Sequence, residues 1–169
     1  MNWQPFSISE IQTLLPDSQT WFLDGGEALD VFLGRQTRLH GDIDIGVLSQ
    51  DVEHVLSIFI GNGFDVRVAN RGLSTYDPNV FDANDYNYWV SDKRFHKLQI
   101  LVYQVHLDRV SFRRNTDVTW PLTCLTLQHQ GYRIINPLVS YAFKITTNQP
   151  QQKDLQDIAE LSHWFSKND

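Results

Sequence analysis

Apolar residues recur at helical spacing in several segments of the chain, and residues that favour helix ends bound these segments. Ser7 and Glu10 have the spacing of a capping box ahead of an apolar stretch that ends at Pro16. Gly34 stands where a short helix over residues 26–33 would end. The pattern predicts further helices from Val52 to Phe59 and over residues 137–147 and 151–165.

Short apolar or alternating runs lie between these helices and predict β-strands. Residues 21–23 lead into a glycine pair, and residues 86–90 and 97–102 have the pattern of a hairpin. Residues 70–84 are rich in Asn, Gly, Ser, Asp and Pro, which predicts a loop. The other predicted strands are residues 43–47, 64–68, 125–127 and 132–134. Helices interleaved with strands indicate an α/β (α+β) fold with a mixed β-sheet flanked by helices.

The length of the chain, 169 residues, suits one compact unit. We expect a core over residues 1–135 and a C-terminal helical subdomain over residues 136–169 that packs on this core. The sequence predicts no linker-bounded second domain.

The charge of the chain narrows its expected partners. The formal net charge is −6 and the pI is about 5.4, which disfavours nucleic-acid binding through bulk electrostatics. An acidic surface attracts cationic small molecules, although an ordinary acidic protein has the same charge. No apolar stretch approaches the roughly 20 residues of a membrane span. Because Cys124 is the only cysteine and no signal-peptide pattern is present, we expect a cytoplasmic protein without a membrane partner.

A glycine pair, Gly25 and Gly26, stands at the start of a predicted helix. Glycines there let backbone N–H groups approach a phosphate, and a helix N-terminus favours negative charge. A plain tight turn into the helix is the structural alternative.

Two aspartates, Asp42 and Asp44, stand two residues apart in an apolar run. Side chains alternate along a strand, so both carboxylates are predicted on one face with Cα atoms roughly 6.5 Å apart. Carboxylates in this arrangement suit Mg²⁺, which typically takes one or two of them plus substrate phosphates. A half-exposed strand shows the same alternation, but aspartate is disfavoured in strands. We therefore interpret Asp42 and Asp44 as metal ligands and catalytic residues.

Basic residues near these motifs are candidate phosphate ligands. Arg35 and Arg38 precede the aspartates, and arginine suits bidentate phosphate recognition. Arg38 is the better candidate because it is nearer, whereas His40 is expected to order the loop. Lys144 and Lys153 stand on or beside the last two helices and can neutralise triphosphate charge. For all four cations, ordinary ion pairs or a solvated face remain the alternative.

These residues, taken in order, resemble a known family. The chain is similar to the aminoglycoside 2''-O-adenylyltransferase-like and lincosamide nucleotidyltransferase-like proteins of the polymerase-beta-type nucleotidyltransferase superfamily. The resemblance is densest over residues 22–46 and is carried by Gly25–Gly26, Ala28–Asp30, Leu33–Arg35, Thr37–Arg38, His40 and Asp42–Asp44, with weaker likeness at residues 112–115, 136–144 and 153–157.

The resemblance implies an enzyme and its ligands. It implies transfer of a nucleoside monophosphate, AMP above all, from a Mg²⁺-bound NTP such as ATP to a hydroxyl of a small molecule. The acceptor is expected to be aminoglycoside- or lincosamide-like. The implied phosphate ligands are Gly25, Gly26, Arg35, Arg38, Lys144 and Lys153, with Asp42 and Asp44 holding Mg²⁺.

Two positions depart from the family pattern. Such transferases usually carry a third carboxylate on a neighbouring strand, but residues 97–104 contain no acid, and Tyr103 and Gln104 stand where we expect one. The nearest acids are Asp92 and Asp108. Glu27 replaces a tryptophan that commonly follows the glycine pair. The alternatives are a catalytically degenerate nucleotide- or partner-binding protein on this fold, or a protein-modifying, antitoxin-type nucleotidyltransferase.

Overall fold

The computed structural model describes residues 1–80, 82, 84–112, 115–146 and 149–168. This part of the chain forms five α-helices: α1 (Ile8–Leu14), α2 (Gly25–Leu33), α3 (Val52–Gly61), α4 (Pro137–Ile145) and α5 (Gln152–Lys167). Its strands are β1 (Asn2–Trp3), β2 (Phe22–Asp24), β3 (Asp44–Leu48), β4 (Asp65–Val68), β5 (Ser74–Thr75), β6 (Asn87–Ser91), β7 (Phe95–Tyr103), β8 (Val105–His106), β9 (Arg109–Phe112), β10 (Asn115–Pro121), β11 (Thr126–His129) and β12 (Tyr132–Ile135).

The main sheet is mixed, which confirms the predicted fold class. Its strand order is β11-β12-β2-β3-β7-β6-β4-β5, and the short β1 pairs with the start of β7. The pairs β12–β2, β3–β7 and β1–β7 are parallel, whereas the other pairs are antiparallel. The strand β3, which carries Asp44, therefore lies between β2 and β7 in the middle of the sheet.

Most predicted elements are present within one or two residues of their expected bounds. The capping box at Ser7 and Glu10 forms, and Gly34 ends α2 in the left-handed conformation at a φ of 68°. The loop predicted over residues 70–84 was wrong in part, because β5 adds two residues to the sheet edge there. Predictions that fall on Phe81, Ala83, Arg113, Arg114, Thr147, Asn148 and Asp169 lie outside the described residues.

A second sheet, with the strand order β10-β9-β8, was not predicted from the sequence. Its first turn includes Leu107, which adopts a φ of 58° and is almost fully exposed. A leucine in the left-handed region gives no turn signal of the kind that glycine or asparagine gives. The segment therefore lacks the turn residues that mark a hairpin.

The helices cover the sheet and form the core with it. Helix α3 packs on β3 and β4, whereas α2 packs on β2, β3, β12 and α4. Fully buried side chains include Phe22, Ile45, Leu56, Phe59 and Ile100. No helix in the described ranges is both long and apolar enough to cross a bilayer.

The last helix, α5, packs on α4 and also reaches the loop that connects α2 to β3. The Gln156 side-chain amide donates to the Thr37 carbonyl at 3.0 Å. The C-terminal helices thus contact the segment that contains the candidate site. The division into residues 1–135 and 136–169 stays a prediction.

Candidate active site

The glycine pair forms the turn between β2 and α2. Asp24 caps the helix, with its Oδ1 accepting from the Gly25 N–H at 2.7 Å. Gly25 has a φ of 63°, and a Cβ there would overlap the Asp44 carboxylate. A Cβ on Gly26 would overlap the side chains of His40 and Arg38. Both glycines are therefore required for the turn to approach the aspartates and the arginine.

The two predicted metal ligands line one polar cavity of about 160 Å³, together with Gly25 and Gly26. Their expected placement on one strand was wrong for Asp42, because β3 begins at Asp44. Asp42 comes from the loop before the strand, and its Oδ2 lies 3.3 Å from the Lys153 Nζ. Asp44 Oδ1 is buried and accepts no hydrogen bond from any described residue. Asp44 thus lines the cavity and carries one carboxylate oxygen that lacks a hydrogen-bond donor among the described residues.

A third carboxylate, Asp24, was missed as a site residue by the sequence interpretation. It is the antiparallel partner of Asp44 across β2 and β3 and also lines the cavity. Its Oδ2 accepts from the Tyr103 hydroxyl at 2.6 Å. The signal was present in the sequence, since an acid directly before the glycine pair is a favourable N-cap.

The neighbouring carboxylates at the cavity make the ionisation of Asp44 less favourable. Burial, followed by the charges of Asp24 and Asp42, raises the pKa of Asp44 to about 7. An excess of negative charge in a buried place is a setting that a divalent cation stabilises. Among the described residues, no group of three or more His, Cys, Asp or Glu side chains is arranged to hold an ion. Two carboxylates plus substrate phosphates are nevertheless the usual set for Mg²⁺, and the free Asp44 Oδ1 fits it.

Two cations at this cavity, Arg38 and Lys144, share the fully buried Asp157 of α5. Arg38 donates from Nε to Asp157 Oδ1 at 3.0 Å and from Nη2 to Oδ2 at 3.2 Å. Lys144 Nζ lies 2.8 Å from the same Oδ2. Burial raises the pKa of Asp157, but hydrogen bonds from Arg38 and the nearby Lys144 outweigh it and lower the pKa. Asp157 is therefore an ionised anchor that holds both cations at the cavity wall.

The loop that carries Arg38 is ordered by Asp30 of α2. Asp30 Oδ1 accepts from the Thr37 N–H at 2.9 Å and from its hydroxyl at 2.6 Å. Its Oδ2 lies 2.6 Å from His40 Nε2, and the His40 side chain is only 3% exposed. His40 thus orders the loop, in agreement with its expected role.

Arg35 is not brought to the cavity. It pairs with Glu160 of α5 at 2.5 Å and borders a separate surface groove together with Glu27. Burial raises the pKa of Glu27. Glu27 does not border the cavity that Asp42 and Asp44 line, so its carboxylate adds no negative charge to that lining.

The strand next to Asp44 carries an amide where an acid was sought. In the parallel register of β3 and β7, Gln99 is the direct partner of Asp44, whereas Tyr103 lies opposite Leu48. Gln99 Nε2 donates to Asn87 Oδ1 at 3.1 Å. This strand nevertheless lines the cavity with Leu101 and Tyr103 and not with Gln99, so it supplies no acid there. Asp92 and Asp108 do not line the cavity.

Known proteins share this arrangement of elements. The aminoglycoside-2''-adenylyltransferase family matches residues 7–90, which include the glycine turn and both aspartates. The crystal structure of the lincosamide antibiotic adenylyltransferase LnuA with lincomycin bound is 19% identical, covers 94% of this chain and 98% of that chain, and has a TM-score of 0.62. The structure of ANT(2'')-Ia in complex with adenylyl-2''-tobramycin is 14% identical, covers 95% and 90%, and has a TM-score of 0.60.

No curated protein sequence gives a significant match to this chain. The structural neighbours are alike in fold over nearly their whole length, and the family match covers the glycine turn, Arg38 and both aspartates of the cavity. The chain is therefore an aminoglycoside- and lincosamide-nucleotidyltransferase-like protein with the antibiotic nucleotidyltransferase fold.

Proposed function

We propose that this protein transfers AMP from Mg²⁺-ATP to a hydroxyl group of a small molecule of the aminoglycoside or lincosamide class. The reaction takes place in the cytoplasm, where ATP and Mg²⁺ are both plentiful. The acceptor oxygen forms a bond to the α-phosphorus, the bond from that phosphorus to the β-phosphate oxygen breaks, and pyrophosphate leaves with the electron pair. The hydroxyl proton passes to water.

The observation that carries the proposal is the unpartnered Oδ1 of Asp44, whose other carboxylate oxygen, Oδ2, lies against Gly25 of the glycine turn. Buried polar atoms are normally hydrogen-bonded, so an exception at the wall of a cavity favours a ligand there. Asp42 and Asp44 would hold Mg²⁺, which stabilises charge on the triphosphate and on the leaving pyrophosphate. Arg38, Lys144 and Lys153 line the same cavity and add positive charge beside the phosphates.

The test is a calorimetric titration with ATP, with and without Mg²⁺, on the wild type and on the Asp42→Asn/Asp44→Asn variant. We expect Mg²⁺-dependent binding by the wild type and its loss in the variant, whose fold should persist because only two cavity carboxylates change. Equal ATP affinity in EDTA and in Mg²⁺ would disprove the two-carboxylate site. An acceptor screen for pyrophosphate release then tests the transfer itself.

A second candidate function, a nucleotide-binding protein with little or no turnover, is favoured by the lining that β7 gives to the cavity. This strand contributes Leu101 and Tyr103, and the Tyr103 hydroxyl donates to Asp24, so β7 offers no carboxylate to accept the proton of the acceptor hydroxyl. General-base catalysis contributes roughly 10²–10⁴-fold. Its loss slows transfer without abolishing it. Fast pyrophosphate release with an aminoglycoside or lincosamide would exclude this second function.

A further inference from the structure

A second cavity of about 480 Å³ adjoins the phosphate-facing one. The two share Arg38, Asp42 and Lys153, so one ligand can extend from the first into the second. The walls that belong to the second cavity alone are Trp3, Leu39, Gly41 and Gln156. Its volume is within the usual range for small-molecule sites, and the reaction proposed above assigns nothing to it.

The indole of Trp3 is held firmly at one wall of the second cavity. Its backbone pairs with His96 at the start of β7. Its ring packs edge-to-face on Trp89 at a centroid distance of 5.4 Å, and lies 5.3 Å from the His96 ring. A fixed indole that is partly exposed to a cavity offers a flat surface for another ring.

The other walls complete an environment for a flat, uncharged group. Leu39 is an apolar side chain that is 87% exposed, although it borders the cavity. Gln156 donates its amide N–H to the Thr37 carbonyl, which turns its donor toward the loop. No described residue donates to its carbonyl oxygen, which can accept from an exocyclic amine.

We infer that the second cavity binds the nucleobase of the NTP, stacked on Trp3 and covered by Leu39, with Gln156 accepting from an amino group of the base. This inference rests on the proposed function, because the shared wall of Arg38, Asp42 and Lys153 joins the base to its phosphates. Arg38 pairs with Asp157 and Lys153 pairs with Asp42, so the described walls of this cavity have no excess of negative charge that would attract a polycationic acceptor. The amine requirement favours ATP, GTP and CTP over UTP.

The test compares Mg²⁺-ATP with Mg²⁺-bound inorganic triphosphate, which has no base, by calorimetry. In Trp3→Ala we expect ATP affinity to fall about tenfold, in the range for loss of one base-stacking contact, while triphosphate affinity stays unchanged. Trp3→Phe should keep most of the ATP affinity because it keeps a ring. Leu39→Ala should weaken ATP alone, and Leu138→Ala, an exposed leucine on α4, is the matched control.

The outcomes separate the two proposals. If the wild type binds neither ATP nor triphosphate, the proposed function is wrong. If triphosphate binds but Trp3→Ala and Leu39→Ala leave ATP affinity unchanged, the base does not lie in the second cavity. Weaker binding of a lincosamide or aminoglycoside with unchanged ATP affinity would assign the cavity to the acceptor and overturn the inference. Because Leu39 is exposed, its variant keeps the test valid even if Trp3→Ala fails to fold.

Discussion

At the scale of single residues, Asp44 combines burial next to other carboxylates with an oxygen that accepts no hydrogen bond from the described part of the chain. Its carboxylate is buried beside two others, and one of its oxygens has no partner among the described residues. Placement next to Asp24 and Asp42 costs stability whenever Asp44 is ionised, and a bound cation removes that cost. The site is therefore destabilised without its ligand and stabilised with it.

The unfavourable ionisation of Asp44 predicts a specific pH dependence of stability in EDTA. The pKa of Asp44 is raised from 3.8 to about 7 in the folded protein. Between these values the folded chain holds a proton that the unfolded chain has lost, so the free energy of unfolding falls as pH rises. We expect Tm to drop from about pH 4 to about pH 7 in the wild type and to drop less in Asp44→Asn. Parallel Tm curves for the two proteins would contradict the raised pKa.

The cavity-lining residue Tyr103 of β7 carries a second prediction at this scale. If the acceptor hydroxyl lacks a base because β7 supplies no acid to the cavity, then Tyr103→Asp should raise the rate of pyrophosphate release, by up to the roughly 10²–10⁴-fold of general-base catalysis. Gln99→Asp is the control on the same strand, since Gln99 does not line the cavity. Equal gains from both variants would show that an acid inside the cavity is not what matters.

The sequence predicted the motif residues of the site better than it predicted which residues pack around them. Gly25, Gly26, Asp42 and Asp44 were recognisable because their types and spacing are local. The partner of Asp44 on β7 depends on a strand register between segments far apart in the chain, and the residue pattern does not fix this register. Distance along the chain from the aspartates favoured Arg38 over Arg35, but it could not place Arg35 in a separate groove, because the path of their loop depends on Asp30.

At the scale of elements, α5 provides the anchor for the cations of the cavity. Asp157 bonds to Arg38 from the loop and to Lys144 from α4, so one carboxylate fixes three elements. What the sequence lacked was the identity of the partners, one of which lies 119 residues away.

We therefore predict different effects on ATP binding for Arg35 and Arg38, which both form ion pairs with carboxylates of α5. Arg38→Ala should weaken Mg²⁺-ATP binding about 10- to 100-fold, since a hydrogen bond to a charged group contributes roughly 1.5–3 kcal/mol. Asp157→Asn should also weaken binding, because it frees both cations from their positions. Arg35→Ala, which breaks only the pair with Glu160, is the matched control and should leave ATP affinity unchanged. A comparable loss in Arg35→Ala would show that the effect is general electrostatics.

The small elements show where sequence patterns fail. Strand β1 has two residues and β8 has two, too few for an alternating pattern to be visible. Their pairing depends on the strands beside them. The longer β7, with nine residues that alternate between buried and partly buried, was predicted with nearly its full extent.

At the scale of the whole molecule, the contacts of α5 predict how the chain unfolds. Helix α4 packs on α2, and α5 is tied to the loop before β3 by Asp157, Gln156 and Lys153. We expect one cooperative transition in urea, with near-ultraviolet circular dichroism and far-ultraviolet circular dichroism giving the same midpoint. Two separated transitions would show that residues 136–169 form an independent subdomain.

The same contacts have a consequence for synthesis of the protein on the ribosome. The polar contacts of α5 with the loop before β3 join residues 111 to 125 positions apart in sequence. Until α5 has left the exit tunnel, the nascent chain therefore has its carboxylates without Asp157 to hold the facing cations. We therefore expect the proposed nucleotide binding to arise only after α5 has folded onto this loop.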